Sequence, residues 1–124
     1  MDNQILVVED SAAMRSFIAS TVEEIEGTSV VEAASGFEAL KELPRHDFQL
    51  IITDINMPDI NGLELIRFIR ENEKYKETPL IIVSTESSQR DRERGLAIGA
   101  NAYLIKPFSP PALRELVERY LKDG

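Results

Sequence analysis

Four short apolar runs, each closed by a polar or charged side chain and followed by a stretch of helical periodicity, limit this chain to few folds. They are Ile5-Leu6-Val7-Val8 before Glu9-Asp10, Leu50-Ile51-Ile52-Thr53 before Asp54, Leu80-Ile81-Ile82-Val83 before Ser84-Thr85, and Tyr103-Leu104-Ile105 before Lys106-Pro107. Runs this short and this rich in β-branched residues read as strands buried on both faces, and helical crossovers between them require the strands to be parallel. Their carboxyl ends then share one edge of one sheet, which is where ligands and chemistry gather in open α/β folds. Three carboxylates, a hydroxyl and an ammonium converge on that edge.

The remaining segments fill in the alternation. Strand one spans 4–9. A first helix starts near Ser11 or Ala12, with Met14, Phe17, Ile18, Val22 and Ile25 at helical spacing and Gly27 as its stop. Residues 28–33 form a more polar strand suited to a sheet edge. A short helix from Ser35 or Gly36 turns Phe37, Leu40 and Leu43 inward and ends at Pro44. The central strand covers 48–53, and Met57-Pro58-Asp59-Ile60-Asn61-Gly62 has turn composition.

Helix three buries Leu63, Ile66 and Ile69, with 71–76 trailing into solvent. Pro79 is tolerable only as the first residue of strand four. A helix over 89–98 offers only Leu96, Ala97 and Ile98 for burial and contains Gly95, so it should be weakly held. Residues 101–105 are strand five, and Leu113, Leu116, Val117, Tyr120 and Leu121 form the stripe of a last helix. The architecture is a five-stranded parallel sheet with helices on both faces, in one domain over 1–124.

Composition excludes several functions. The chain has no Cys, which removes disulfide and thiolate chemistry. Its 22 acidic against 14 basic residues give a net charge of −8, unsuited to direct nucleic-acid binding. No apolar stretch approaches the roughly 20 residues of a membrane span, so no membrane insertion is expected and a cytoplasmic location is the default.

Glu9, Asp10 and Asp54 would set three negative charges against Lys106. Like charges about 4 Å apart repel by roughly 4 kcal/mol at an effective dielectric of about 20, so a proton or cation must join them. Oxygen ligands without His or Cys suit a hard divalent ion, Mg²⁺ above all. A carboxylate so neutralised can act as a nucleophile toward a phosphoryl group, and Asp54, alone at the end of the central strand, is the candidate. Asp10 would hold the ion directly and Glu9 directly or through water, while Lys106 and Ser84 would each meet a phosphoryl oxygen.

These residues resemble those of the response regulator receiver domain family, specifically its single-domain, chemotaxis (CheY-like) type. The paired acids Glu9-Asp10, the loop Asp54-Ile55-Asn56-Met57-Pro58 with Asn61-Gly62, Ser84 and Lys106-Pro107-Phe108 carry the likeness across the whole chain. The separations from Asp10 to Asp54 (44), Asp54 to Ser84 (30) and Ser84 to Lys106 (22) fit without gaps. Glu9 stands where Asp is commoner, and Thr85 where a small apolar residue is frequent.

The resemblance implies a flavodoxin-like, doubly wound (βα)5 fold with strand order 2-1-3-4-5, the order general knowledge already assigns to this family. It further implies that Asp54 is the phosphoacceptor, with Lys106 and Ser84 as its helpers. Mg²⁺, or Mn²⁺ in its place, would be bound by Glu9, Asp10, Asp54 and the backbone carbonyl of Asn56. Ser84 and Tyr103 would be the coupled switch pair and the Lys106–Pro107 bond would be cis.

The partners implied are a sensor histidine kinase or phosphotransfer protein as donor, and a downstream target on the face of residues 86–98, strand five and the final helix. The protein would act as a monomer with no output domain. It would be a switch in chemotaxis or motility control, and no enzyme beyond its own phosphorylation and dephosphorylation. An aspartyl-phosphate phosphohydrolase would need a second Asp where Asn56 stands. A phosphorylation-independent interaction module would not need the full set of acids. A flavin- or nucleotide-binding module would need a Gly- or Ser/Thr-rich cradle where Glu9-Asp10 stands. His46, before the central strand, lies about 20 Å from Asp54 at roughly 3.3 Å per residue, so it is a surface residue and no phosphorelay group.

Overall fold

The computed structural model describes residues 2–123, and the side chains of these except Glu86 and Asp123. Five parallel strands, β1 (Asn3–Val8), β2 (Thr28–Ala33), β3 (Leu50–Asp54), β4 (Leu80–Thr85) and β5 (Ala102–Lys106), form one sheet in the order β2-β1-β3-β4-β5. Five helices connect and follow them: α1 (Ala12–Glu23), α2 (Gly36–Glu42), α3 (Gly62–Glu71), α4 (Gln89–Ile98) and α5 (Pro110–Asp123). Each of β1, β3 and β4 is buried along nearly its whole length, as a strand sandwiched between helices must be.

Alternation along the strands sends side chains to opposite faces, giving two cores. Ile5, Val7, Leu50, Ile52, Ile81 and Val83 meet α1 and α5 through Ile18, Val22, Leu113 and Val117. Leu6, Val8, Ile51, Ile55, Leu80 and Ile82 meet α2, α3 and the partly buried Leu96 and Ile98 of α4. The register pairs Val8 with Thr53, Asp54 with Val83 and Thr85 with Lys106, so the polar residues ending these strands lie side by side.

Four readings of the sequence need correction. Phe37 points outward, 59% exposed. Leu43 is buried and Leu40 packs partly against the core, as expected, but the place of Phe37 on the inward side is taken by Gly36 and Ala39, with Gly36 close against Ile60. Pro44 does not simply stop this helix, since Leu43–Arg45 continue it as a 3₁₀ turn. The segment after α3 does not trail into solvent: Tyr75 is fully buried, its hydroxyl 2.7 Å from the carbonyl of Leu43 and 2.6 Å from that of His46. Buried, the phenol finds its hydrogen-bond partners in these carbonyls, and the Lys74 ammonium also donates to that of His46.

The fourth correction concerns α4. It buries Arg92 and Gly95, while Ala97 is exposed. Gly95 brings α4 close to β4, where a methyl would run into Ile82 Cδ1 and the end of that side chain would have to shift. No helix among the described residues is long and apolar enough to cross a membrane.

Candidate functional site

Local sequence fixes the edge on which the polar strand ends meet. Ser11 caps α1 by accepting from the Met14 N–H, and the Ser11 N–H in turn donates to Glu9 Oε2 at 3.0 Å. Asn61 caps α3 through the Leu63 N–H, and the Gly62 N–H donates to the Ile55 carbonyl at 2.9 Å. A Cβ on Gly62 would lie 2.5 Å from the Asp54 carbonyl oxygen, so the loop after β3 folds back tightly only because that residue has none. Asp59 anchors the same loop to α2, accepting from the N–H groups of Gly36 and Phe37 at 3.2 and 3.0 Å.

Glu9, Asp10 and Asp54 each bring a carboxylate oxygen within 4.8 Å of the others. Glu9 and Asp54 are buried and Asp10 is exposed, so the cluster opens to solvent on the Asp10 side. Lys106 Nζ bridges the two buried acids, 2.7 Å from Glu9 Oε1 and 3.2 Å from Asp54 Oδ2. The Asn56 N–H adds a bond to Asp54 Oδ1 at 3.2 Å.

Burial raises the Glu9 carboxyl above its ordinary range, and the Lys106 and Ser11 hydrogen bonds offset this only in part. Burial alone would lower Lys106, but the Glu9 hydrogen bond and the two carboxylate charges outweigh it and hold the amine protonated more firmly than usual. One ammonium thus faces three acids. Oxygen donors of this kind, with one open side and no nitrogen or sulfur, match a hard divalent cation that retains water.

Ser84 is fully buried at the end of β4, yet its hydroxyl does not reach toward Asp54. It accepts from Arg92 Nη1 at 3.3 Å, on the α4 face of the sheet. Thr85 turns outward, its hydroxyl within 2.9 Å of Ser87 Oγ and 3.2 Å of Ser88 Oγ. Tyr103 is 44% exposed. The structure therefore brings together Glu9, Asp10, Asp54 and Lys106, with the Asn56 backbone beside them, and holds Ser84 and Tyr103 apart as a second group. The Lys106–Pro107 bond is cis, as expected. His46 pairs with Glu42 at 3.1 Å, beyond the opposite end of β3.

Two side chains at this edge escaped the sequence reading. Ser88 is buried and accepts from Asn56 Nδ2 at 2.8 Å, tying the loop after β3 to the start of α4. Arg92 is 6% exposed, although arginine in a charged run reads as solvated. The available signal was spacing, since Ser88, Arg92 and Gly95 follow each other at helical intervals on the face that meets β4.

The response regulator receiver domain model matches residues 5–118. The chain belongs to that family. A chemotaxis protein CheY homolog of Campylobacter jejuni is 40% identical to this receiver over 122 residues, covering 98% of this chain and 94% of its own. Among solved structures, chemotaxis response regulator CheY4 of Vibrio cholerae superposes with a TM-score of 0.89 at 35% identity, over 97% of this chain and 99% of its own. The receiver domain of the sensor histidine kinase PA1611 of Pseudomonas aeruginosa, solved with a magnesium ion coordinated in its active-site cleft, gives 0.88 at 30% identity over 98% and 99%. Receivers of this family are signalling switches of two-component systems rather than enzymes of outside substrates.

Proposed function

We propose that the chain is a phosphorylation-activated switch in which Asp54 is the sole phosphoacceptor, working in chemotaxis or motility control. The observation that carries this reading is the bridge of Lys106 Nζ between Glu9 and Asp54, with Asp10 completing the acidic cluster. A lone ammonium already positioned on the acceptor carboxylate is the group needed to receive a phosphoryl oxygen. The relatives named as chemotaxis proteins support the pathway.

In the transfer, a donor phosphohistidine loses its N–P bond as an Asp54 carboxylate oxygen forms the new O–P bond. Glu9, Asp10, Asp54 and the Asn56 carbonyl would hold Mg²⁺, which when bound supplies positive charge to the acids and to the phosphoryl oxygens. Lys106 keeps its charge throughout and orients the group by hydrogen bonding. Asn56 makes a phosphohydrolase mechanism unsuitable, since its side chain is an amide, engaged with Ser88, that neither gives up nor takes a proton near neutral pH. The phosphoryl source is a histidine kinase or phosphotransfer protein, and output follows from binding a target at the face of α4, β5 and α5. The receiver acts in the cytoplasm as a monomer and catalyses only its own phosphorylation and dephosphorylation.

Incubation with acetyl phosphate and Mg²⁺ or Mn²⁺, followed by intact mass, tests this. A single increment of about 80 Da is expected, lost in Asp54→Asn and slowed in Asp10→Asn. An unchanged increment in Asp54→Asn would remove Asp54 from the role.

A further inference from the structure

Arg92 is a cation almost without solvent contact, on the first turns of a helix that is otherwise mostly polar. Its Nη1 donates to Ser84 Oγ at 3.3 Å and more closely to the carbonyl of Thr85. The guanidinium carbon lies 5.4 Å from the centre of the Tyr103 ring, within cation–π range. A buried guanidinium needs such partners, because it has five N–H donors and no means of neutralising itself. Two oxygens and a ring face hold it at the floor of a cleft of about 190 Å³ between α4 and β5.

The register explains why these groups meet. Ile82 pairs with Tyr103 and Ser84 with Ile105, and alternation sets Ile82, Ser84 and Tyr103 on the same face, beneath α4. Glu9, Asp54 and Lys106 follow Val7, Ile52 and Leu104, which pack on the opposite face. For Ser84 to serve a phosphoryl group on Asp54, its hydroxyl must leave Arg92 and turn across the end of the sheet. For the Tyr103 ring to move inward, it must enter the volume the guanidinium now fills.

We propose that Arg92 is a positioning residue that holds the unphosphorylated arrangement, occupying the space between Ser84 and Tyr103 and yielding it when Ser84 turns toward the phosphoryl group. It latches two groups with one side chain. Loss of the Ser84 bond leaves the guanidinium with a carbonyl and a mobile ring, and it moves out into the cleft as the ring moves in. The unphosphorylated population is thereby raised, and anything that binds the activated arrangement binds more weakly in proportion. This inference rests on the assignment of Asp54 as acceptor.

Beryllofluoride with Mg²⁺, titrated into the protein and followed by amide and Tyr103 ring NMR signals, tests the latch. Arg92→Met keeps the length of the side chain without its N–H groups, and should bind the mimic roughly five-fold more tightly than the parent. Its Tyr103 ring signals should already lie toward the bound position before any mimic is added. Arg92→Lys keeps the charge without the planar fork and should fall between the two; it carries the comparison if Arg92→Met does not fold. In a Ser84→Ala background the gain from Arg92→Met should shrink below about two-fold. Parental or weaker affinity in a folded Arg92 variant would overturn the latch alone, whereas a parent that binds no mimic would remove the acceptor assignment and the latch with it.

Discussion

Replacing Lys106 by Met asks whether one ammonium holds the acids of the strand ends together. Its Nζ is 2.7 Å from Glu9 and 3.2 Å from Asp54, and both of those carboxylates are buried. Without it, two like charges no more than 4.8 Å apart repel by about 3.5 kcal/mol at an effective dielectric of about 20. Protonating Glu9 is the other escape, and at pH 7 it costs about 3.7 kcal/mol from an ordinary glutamate pKa of about 4.3. Burial has already raised the Glu9 carboxyl, so this second route is cheaper than that figure. Partial exposure of Lys106 lets water soften the first.

A loss of about 3 kcal/mol follows, at the low end of the roughly 3–5 kcal/mol typical when one partner of a buried pair is removed. Thermal unfolding in EDTA at pH 7 should show a midpoint lower by roughly 10 °C for a domain of this size. Mg²⁺ should recover part of the loss by binding only the folded state. In an Asp54→Asn background the same change should cost less than about 1.5 kcal/mol, because one of the two repelling charges is gone. A loss below about 1 kcal/mol in EDTA, or equal losses in the two backgrounds, would refute the view that Lys106 neutralises a converged pair.

Two further outcomes follow from the loop after β3. The Phe37 N–H foremost, against a smaller effect of burial, holds the exposed Asp59 carboxyl down at about 2, with the Ile60 and Gly36 amides helping. Since this lies below the unfolded value of about 3.9, the anchoring is complete above about pH 4 and is lost as pH falls toward 2; the Asp59 carboxyl carbon shift should titrate there, and Asp59→Asn should remove that transition from the α2 amides. Gly62→Ala should destabilise the protein by about 1–3 kcal/mol and slow acetyl phosphate labelling, because the new methyl meets backbone at Asp54 and Ile55 rather than a flexible side chain; labelling at the parental rate with parental stability would count against it.

The sheet and its helices were legible because their signals are properties of whole segments. Runs such as Leu80-Ile81-Ile82-Val83 cannot be satisfied on a surface, so their burial and parallel arrangement follow from pattern alone. The acidic cluster was legible for the same reason: once the strands are parallel, Glu9, Asp10, Asp54 and Lys106 must end on one edge. What escaped depends on single contacts. Tyr75 sits in a polar stretch, yet its ring joins the core and its hydroxyl meets the carbonyls of Leu43 and His46. Phe37 was read inward from its hydrophobicity, yet Gly36 and Ala39 take that place, with Gly36 close against Ile60. Arg92 was read as solvated from its charge, and its partners are a hydroxyl, a carbonyl and a ring that no local rule brings together.

The two groups of the site stand on opposite faces of one sheet, and this separation bears on how a signal could cross it. Along β4, Val83 faces the α1 and α5 side while Ser84 faces α4, so neighbouring residues belong to different cores. Inside the sheet the two cores are sealed from each other by fully buried strands. The backbone that separates them ends just beyond Asp54, Ser84 and Lys106, which are among the last residues of β3, β4 and β5. A phosphoryl group on Asp54 would project beyond that end, within reach of both faces. On the proposed assignment, a turn of Ser84 away from Arg92 at this end of the sheet would link the acidic cluster on one face to α4 on the other.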